Sequence, residues 1–489
     1  MPIPDTLPHC VSVVIVGAGF SGLVVACHLK EQLDCDDFII YDRAARLGGT
    51  WFANTYPGCG VDIPAPFYSL SFAPNPDFSQ FFLKQQEVLE YLESVASHFN
   101  ISEHVVGNTE WVGASFQDST KTWLVKLRGV KSGQEYIKRS KVLVSAVGGL
   151  TDPNPFHVDG IERFQGSMIH TARWDHSVSL TNKDVVVIGN GSSATQLIPA
   201  IATNVHSVTQ FIRTPQHYFP GSDLIIPSSW RTISHHFPSL LRFTSLPQFN
   251  LTKTGERLRE EARERGCRYI EQCAAKEYWD LLMPTAEIGC KRRVFDHDGY
   301  ISSLNRDNVH LTSDTIIDLK ERSVLTRSGR KYPADIIVLA NGFSLTQLDA
   351  ELRGRHGRSR KDHWKEFGYI EAYNSIAMSG FPNFFYMLGP NSARSHTSLL
   401  YSLERVVNPV ISGHALTVEP EVSSKRAYND KLHTALEKTV LTNACRSWYI
   451  DERTGRNWVI YPWSSFYMWY TTHIAGLDDW IYEVSMPIL

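Results

Sequence analysis

Val11-Ser12-Val13-Val14-Ile15-Val16-Gly17-Ala18-Gly19-Phe20-Ser21-Gly22 is a β-branched run that breaks into three glycines within six positions. The run suits a strand buried on both faces, and the LVVACHLKEQL that follows has the composition of a helix. Strand, glycine turn and helix in that order open a dinucleotide-binding βα unit. Gly17, Gly19 and Gly22, with Phe20 and Ser21 between them, let a diphosphate approach the backbone at the helix N-terminus. A second strand, Phe38-Ile39-Ile40-Tyr41, ends in Asp42, about twenty residues past the last glycine, where an acid can accept a hydrogen bond from a ribose hydroxyl. A GxGxxG alone is weak evidence; strand, turn, helix and acid together are much stronger.

The same unit recurs at Asp184-Val185-Val186-Val187-Ile188, followed by Gly189, Asn190, Gly191, Ser192, Ser193 and Ala194 and a helix-like TQLIPAIATN. Its second strand ends differently. In SVTQFIRT the place of the acid is taken by Arg213 and Thr214, a cation and a hydroxyl that suit a 2′-phosphate which an acid would repel. The first site therefore reads as FAD and the second as NADP. The fold class is α/β, with two Rossmann-like dinucleotide-binding domains. The expected division is 1–150 and 341–489 for a discontinuous FAD domain, 151–214 and 287–340 for the NADP domain, and 215–286 for a helical insertion. The charged stretch GERLREEARERGCRYIEQCAAKEY, residues 255–278, is made of good helix formers whose charges suit a solvated face. Residues 334–340, ADIIVLA, read as a return to the sheet, and the Pro- and Gly-bearing residues 148–160, GGLTDPNPFHVDG, as a hinge.

A chain of 489 residues is too long for one ordinary core, and its 43% hydrophobic and 20% charged composition is globular. A net charge of −3 offers no basic field for nucleic acid or an anionic membrane. The eight cysteines contain no CxxC pair, which argues against a zinc site and against a disulfide reductase; buried, reduced thiols are expected, and no metal. Residues 11–29 carry no Asp, Glu, Lys or Arg and would score as a membrane span, but Gly17, Gly19 and Gly22 interrupt them and no basic segment precedes them. A soluble, intracellular and cytoplasmic protein is expected. The last fifty residues are dense in Trp and Tyr, which usually build core, though aromatics also line ligand clefts.

Between the two units lies Phe164-Gln165-Gly166-Ser167-Met168-Ile169-His170-Thr171-Ala172-Arg173-Trp174-Asp175, whose pattern fits neither a strand nor a simple amphipathic helix and reads as a junction. With Phe164, Gly166, His170, Trp174 and Asp175 in place, it resembles the FxGxxxHxxxW(P/D) fingerprint of Baeyer–Villiger flavin monooxygenases. A second family pattern, GGxWxxxxYPGxxxD, is met by Gly48, Gly49, Trp51, Tyr56, Pro57, Gly58 and Asp62, with Thr50 inside it and Tyr68 in the YSLSF that follows. The resemblance covers nearly the whole chain. The stretch GGTWFANTYPGCGVDIPAPFYSLSF is also similar to compact fungal polyketide-pathway members such as the hydroxyversicolorone monooxygenases, which would place the chain in mycotoxin-type secondary metabolism.

The resemblance implies that NADPH reduces FAD, that O₂ adds to form a C4a-peroxyflavin, and that the peroxide attacks a ketone to give an ester or lactone. The protein's tasks would be to bind, orient and exclude water. Matched to the family, Ile288-Gly289-Cys290-Lys291-Arg292-Arg293 puts Lys291 on the NADP 2′-phosphate and makes Arg292 the catalytic arginine, a cation that does not lose its proton. Asp62 matches the carboxylate beside that arginine and the flavin. The resemblance makes Gly48, Gly49, Thr50, Trp51, Asp62 and Tyr68 flavin neighbours, and it gives the fingerprint a coupling rather than a proton-transfer role. Three positions depart from the family: Arg293 stands where proline is common, Asn341 where Thr is usual, and Ser395 where Gly often precedes His396. The partners implied are a small ketone and O₂. An N- or S-oxygenating flavin monooxygenase is the competing enzyme, against which Trp174 speaks, and a flavin-binding scaffold without turnover is the non-enzymatic alternative.

Overall fold

The computed structural model describes residues 9–65, 68–70, 72–221, 255–289, 293–393, 416–442, 448–464, 467, 470, 471 and 477–484. Strand β1 (Cys10–Val16) lies at the centre of the first sheet, with Val14 and Ile15 fully buried. Helix α1 (Phe20–Leu33) is buried continuously from Ser21 to Leu29, which explains why this stretch carries no charge. Among the described residues no helix is long and apolar enough to cross a membrane. β1 pairs in parallel with β2 (Phe38–Tyr41), and β2 with β3 (Val105–Val106). On the other side an antiparallel meander of β4 (Thr109–Gln117), β5 (Thr122–Gly129) and β6 (Glu135–Ser145) joins β1 through the last half of β6.

The chain then crosses through β7 (Asp152–Pro153) to an all-parallel second sheet. Its strands are β8 (Ser167–His170), β9 (Asp184–Ile188), β10 (Ser207–Phe211), β13 (Val309–Thr312) and β17 (Ile336–Leu339), in the order β13-β10-β9-β17-β8. Helix α4 (Ser192–Ile201) follows β9 as α1 follows β1; the short α2 (Thr50–Ala53) and α3 (Gln85–His98) lie between them in the chain. β11 (Tyr218–Pro220) and β12 (Val294–Asp296) pair in parallel beside this sheet, and β14 (Ile316–Lys320), β15 (Ser323–Thr326) and β16 (Lys331–Pro333) form an antiparallel flap. The return crossing carries β18 (Phe343–Ser344), after which β19 (Glu351–Arg353) and β20 (Phe384–Tyr386) rejoin the first sheet against β4 and β6.

Two expectations change. Residues 164–175 were expected to form no strand, yet Ser167–His170 is the edge strand β8, in parallel register with β17 from Ile336↔Ser167 to Leu339↔His170. Four residues with one neighbour are too short to leave a period in the sequence. The aromatic C-terminus is core only in part: Tyr449 and Tyr461 are buried, whereas Trp448 is 52% exposed. In the stretch 215–286 the helix Glu256–Cys273 is formed with most of its charges outward, except Arg259, which is buried and pairs with Glu287 (2.8 Å), while 222–254 lie outside the described residues. One apolar cluster runs through both units, from Val13 and Ile15 to Val185, Val187 and Ile198.

Candidate functional site

The two glycine turns are built alike. Gly17 (φ +105°) ends β1 so close to β6 that a Cβ there would lie 2.4 Å from the Ala146 carbonyl oxygen. Gly189 (φ +125°) ends β9 so that a Cβ would lie 2.2 Å from that of Ala340. Each turn delivers the chain into a helix whose N-cap is glycine, Gly19 for α1 and Gly191 for α4. Neither helix has a side-chain cap or an acid in its first turn. Their first N–H groups are therefore left to an anion, with the positive end of the helix dipole behind them. Space above Gly191 is open, since an added Cβ would meet nothing within 4 Å. These features fit one diphosphate at Gly17, Gly19, Phe20, Ser21 and Gly22, and another at Gly189, Gly191, Ser192 and Ser193, over the buried Ala194.

Asp42, the acid expected to meet a ribose hydroxyl, has a structural task as well. Its carboxylate accepts from Ala18 N (2.6 Å) and Ala44 N (2.7 Å), tying the end of β2 to the first glycine turn, and burial pushes its pKa up. Each oxygen keeps a further lone pair, enough for a ribose hydroxyl. The motif at Gly48 and Gly49 closes over the same turn: Gly48 N donates to Ala18 O (2.9 Å), and a Cβ on Gly49 would lie 2.7 Å from Gly19 Cα. Thr50 begins α2; Trp51 is buried, and Tyr68 packs edge-on against both Trp51 (5.6 Å) and Phe20 (5.9 Å). The chain thus brings Gly17–Gly22, Asp42, Gly48, Gly49, Trp51 and Tyr68 together as one cradle.

At the second turn, Arg213 and Thr214 are exposed just beyond β10, and Asn190 Nδ2 fastens this end to the turn by donating to Thr214 O (2.8 Å). Asp62 follows a loop that docks on α4. Tyr56 Oη donates to Gln196 Oε1 (2.7 Å), Gln196 Nε2 donates to Gly60 O (3.0 Å), and Asp62 lies near enough to add to the upward push that burial gives the Tyr56 hydroxyl. Lys84 pairs with Asp298 (2.5 Å) and Phe82 stacks on His297 (3.6 Å between centroids), extending this contact between the units. Cys290, Lys291 and Arg292 lie outside the described residues, as do Ser395 and His396. Arg293 is described, its guanidinium 4.9 Å over the Phe295 ring.

In the fingerprint, Phe164 packs into the core of the second unit, and a Cβ on Gly166 would strike both the Asp335 carbonyl and the Phe164 ring. His170 is buried; its Nδ1 accepts from Ala172 N (3.0 Å) and its Nε2 donates to Gly342 O (3.1 Å) in the return crossing. Burial holds its pKa below the usual histidine value, so the ring is neutral. Trp174 packs on the shared core, and Asp175 turns back to accept from Ser177 N (2.9 Å) and Oγ (2.6 Å), which lowers its pKa. The Cys27 and Cys59 thiols are each pushed up to about 12, chiefly by burial, as expected of packing residues. No cluster of metal-ligating side chains occurs among the described residues.

The sequence reading missed Asn54, Asn190 and Gln196. Asn54 is buried and donates to Thr50 O (2.9 Å) and Leu150 O (3.1 Å), bridging the cradle to the outgoing crossing. Asn190 could have been found from its place inside the glycine turn; Leu150, which Asn54 bridges to, and Tyr56 and Gly60, the partners of Gln196, lie about 100 or more residues away and leave no local signal.

Fold and site define a protein built to hold two dinucleotides across a pair of chain crossings among the described residues. Residues 15–84 match the family model described as an NAD(P)-binding Rossmann-like domain. Over 488 residues the chain is 31% identical to a Baeyer–Villiger monooxygenase of Pseudomonas aeruginosa, covering 94% of this chain and 89% of that one. It is 30% identical to the FAD-binding monooxygenase ktnD of Aspergillus niger, over 95% of this chain and 80% of that one. The solved structure of an oxidized steroid monooxygenase bound to NADP superposes with a TM-score of 0.85 at 27% identity, covering 98% of this chain and all of that one. The chain belongs to the Baeyer–Villiger monooxygenase family.

Proposed function

We propose that residues 1–150 and 341–489 hold FAD and that 151–214 and 287–340 hold NADPH, with 215–286 as an insertion in the second unit. The chain is an FAD- and NADPH-dependent monooxygenase that inserts one atom of O₂ beside a ketone carbonyl to give an ester or lactone. The observation that carries this reading is the pair of uncapped glycine turns joined by the fingerprint, with His170 lashed to the return crossing. Bound FAD, once reduced by NADPH, supplies the activation of O₂.

The chain's own residues do the rest. N–H groups at Gly19–Gly22 and Gly191–Ser193, packed over Ala194, hold the diphosphates, and Asp42 accepts from a ribose. Thr50, Trp51 and Tyr68 wall the flavin side, and the aromatic faces exclude water. Arg213, Thr214 and Lys291 take the 2′-phosphate. By the family resemblance Arg292 is the cation that keeps its charge at any working pH and steadies the oxyanion that develops on the substrate, with Asp62 as the carboxylate matched to that guanidinium. In stopped-flow work Arg292→Ala keeps flavin reduction by NADPH and loses ester formation; normal ester yield in that variant removes Arg292 from the mechanism.

For the substrate we propose a bulky aromatic polyketide ketone. The resemblance of the stretch from Gly48 to Phe72 to fungal polyketide-pathway members supports this choice. A panel of ketones with product mass and NADPH consumption measured together tests it: small cyclic ketones turning over faster than aromatic ones would contradict it.

A further inference from the structure

Among the described residues, the chain passes between the two units at residues 150–155 and again at 340–346, and these crossings are zipped together. β7 and β18 pair antiparallel, Phe343↔Pro153 and Ser344↔Asp152. Asn154 Nδ2 donates to Asn341 O (3.1 Å), Asn341 Nδ2 donates to Pro155 O (3.2 Å), and Ser344 Oγ donates to Asn154 Oδ1 (3.0 Å). This gives Asn341, which departs from the family's usual Thr, a place in the zipper.

Asp152 is the charged centre of this crossing. Its carboxylate meets Arg43 Nη2 at 2.8 Å and Arg173 Nη2 at 3.5 Å, both through Oδ1, and its Oδ2 accepts from Thr346 Oγ1. Arg43 also donates to Thr151 Oγ1 (2.6 Å), and Arg173 to Thr151 O (2.7 Å). Arg43 follows Asp42, the acid fastened to the first glycine turn; Arg173 lies in the fingerprint, three residues past His170. A single carboxylate, its side chain 18% exposed, is therefore gripped from both nucleotide units. Without it, two guanidinium groups that reach for the same oxygen would face each other and repel.

We propose that Asp152 is a positioning residue for hydride transfer: by holding Arg43 and Arg173 on one carboxylate, it sets the angle at which the second unit presents its nucleotide to the first. The proposal rests on the two-nucleotide reading above. Small angular errors at such a crossing become displacements of the reacting atoms, and misplacement by about 1 Å can cost up to about 100-fold in rate.

The test is anaerobic stopped-flow reduction of the FAD-loaded enzyme by saturating NADPH, with flavin content and melting temperature as controls. Asp152→Asn keeps the side chain's shape and its acceptor for Thr346 but leaves the two cations unscreened; it slows reduction about 10-fold. The double variant Asp152→Asn/Arg173→Gln removes the repulsion and recovers to within about 3-fold of wild type, as does Asp152→Asn at high salt. Arg173→Gln alone, at a half-exposed side chain, keeps the fold and slows reduction about 3-fold. An unchanged rate in Asp152→Asn, or a double variant slower than the single, overturns the proposal; if Asp152→Asn does not fold, an unchanged rate in Arg173→Gln does so. Ester yield of the wild type is measured in the same series. A missing product there indicts the family reaction, whereas unchanged variant rates indict the hinge alone.

Discussion

At His170 both ring nitrogens are taken by main chain, Nδ1 by Ala172 N and Nε2 by Gly342 O, so the ring has neither a proton to give nor a lone pair to offer a substrate. It works as a neutral pin between the fingerprint and the return crossing. Burial lowers its pKa in the folded protein, and the positive Arg173 nearby lowers it further. As pH falls below the ordinary histidine value, the unfolded chain therefore takes up a proton that the native ring refuses. The stability that His170 contributes is complete above about pH 6.5 and is lost as pH falls through that value towards the depressed folded one. Urea denaturation at pH 8 and pH 5 should show His170→Gln losing about 1–3 kcal/mol at pH 8, with a smaller further loss on acidification than wild type. A variant whose loss on acidification equals that of wild type would contradict this account. The fingerprint letters were legible in the sequence, but the tautomer was not, because it depends on Gly342, distant in the chain.

At the scale of elements, the two βα turns were readable because their chemistry is local: a β-branched run, glycines, then a helix. Their consequences can be tested separately. Gly17→Ala forces a Cβ against the Ala146 carbonyl at a φ that L residues rarely adopt, and Gly189→Ala does the same against Ala340. Purified Gly17→Ala should lose its yellow colour, while Gly189→Ala should stay yellow and reduce poorly with NADPH. Equal flavin content in the two variants would mean that the turns are not assigned to separate cofactors. β8 was not readable, since four residues beside one parallel neighbour carry no alternation. Its register is imposed by β17 and by Gly166, where only a hydrogen lets the Phe164 ring fold back.

Across the whole molecule the shared apolar cluster keeps the two sheets in one body, and the last third of the chain is fastened by a charged core that composition gave no reason to expect. Lys425, in the polar helix Val422–Glu437, is fully buried; its Nζ donates to Glu371 Oε1 (2.8 Å) and to His363 Nε2 (2.7 Å) and lies 3.9 Å over the Phe367 ring. Lysine in VSSKRAYNDKL reads as a surface residue; only the arrival of Glu371 and His363 from another helix and its following loop makes it core. Lys425→Met should cost about 3–5 kcal/mol in chemical denaturation by leaving Glu371 charged and buried, whereas Lys425→Met with Glu371→Leu should regain much of that loss. Fold class, both nucleotide turns and the fingerprint were thus legible from local pattern. The crossing at Asp152, the Tyr56–Gln196 contact and the Lys425 core were not, because each joins residues that only the fold brings together.

The central claim is oxygen insertion beside a ketone, and the fate of labelled oxygen tests it most directly. The enzyme loaded with FAD is given NADPH, ¹⁸O₂ and an aromatic polyketide ketone, and the product is weighed by mass spectrometry. The account predicts an ester or lactone carrying one ¹⁸O, with NADPH consumed in equal amount. NADPH oxidation that yields only hydrogen peroxide across the ketone panel, with no labelled ester, would contradict it.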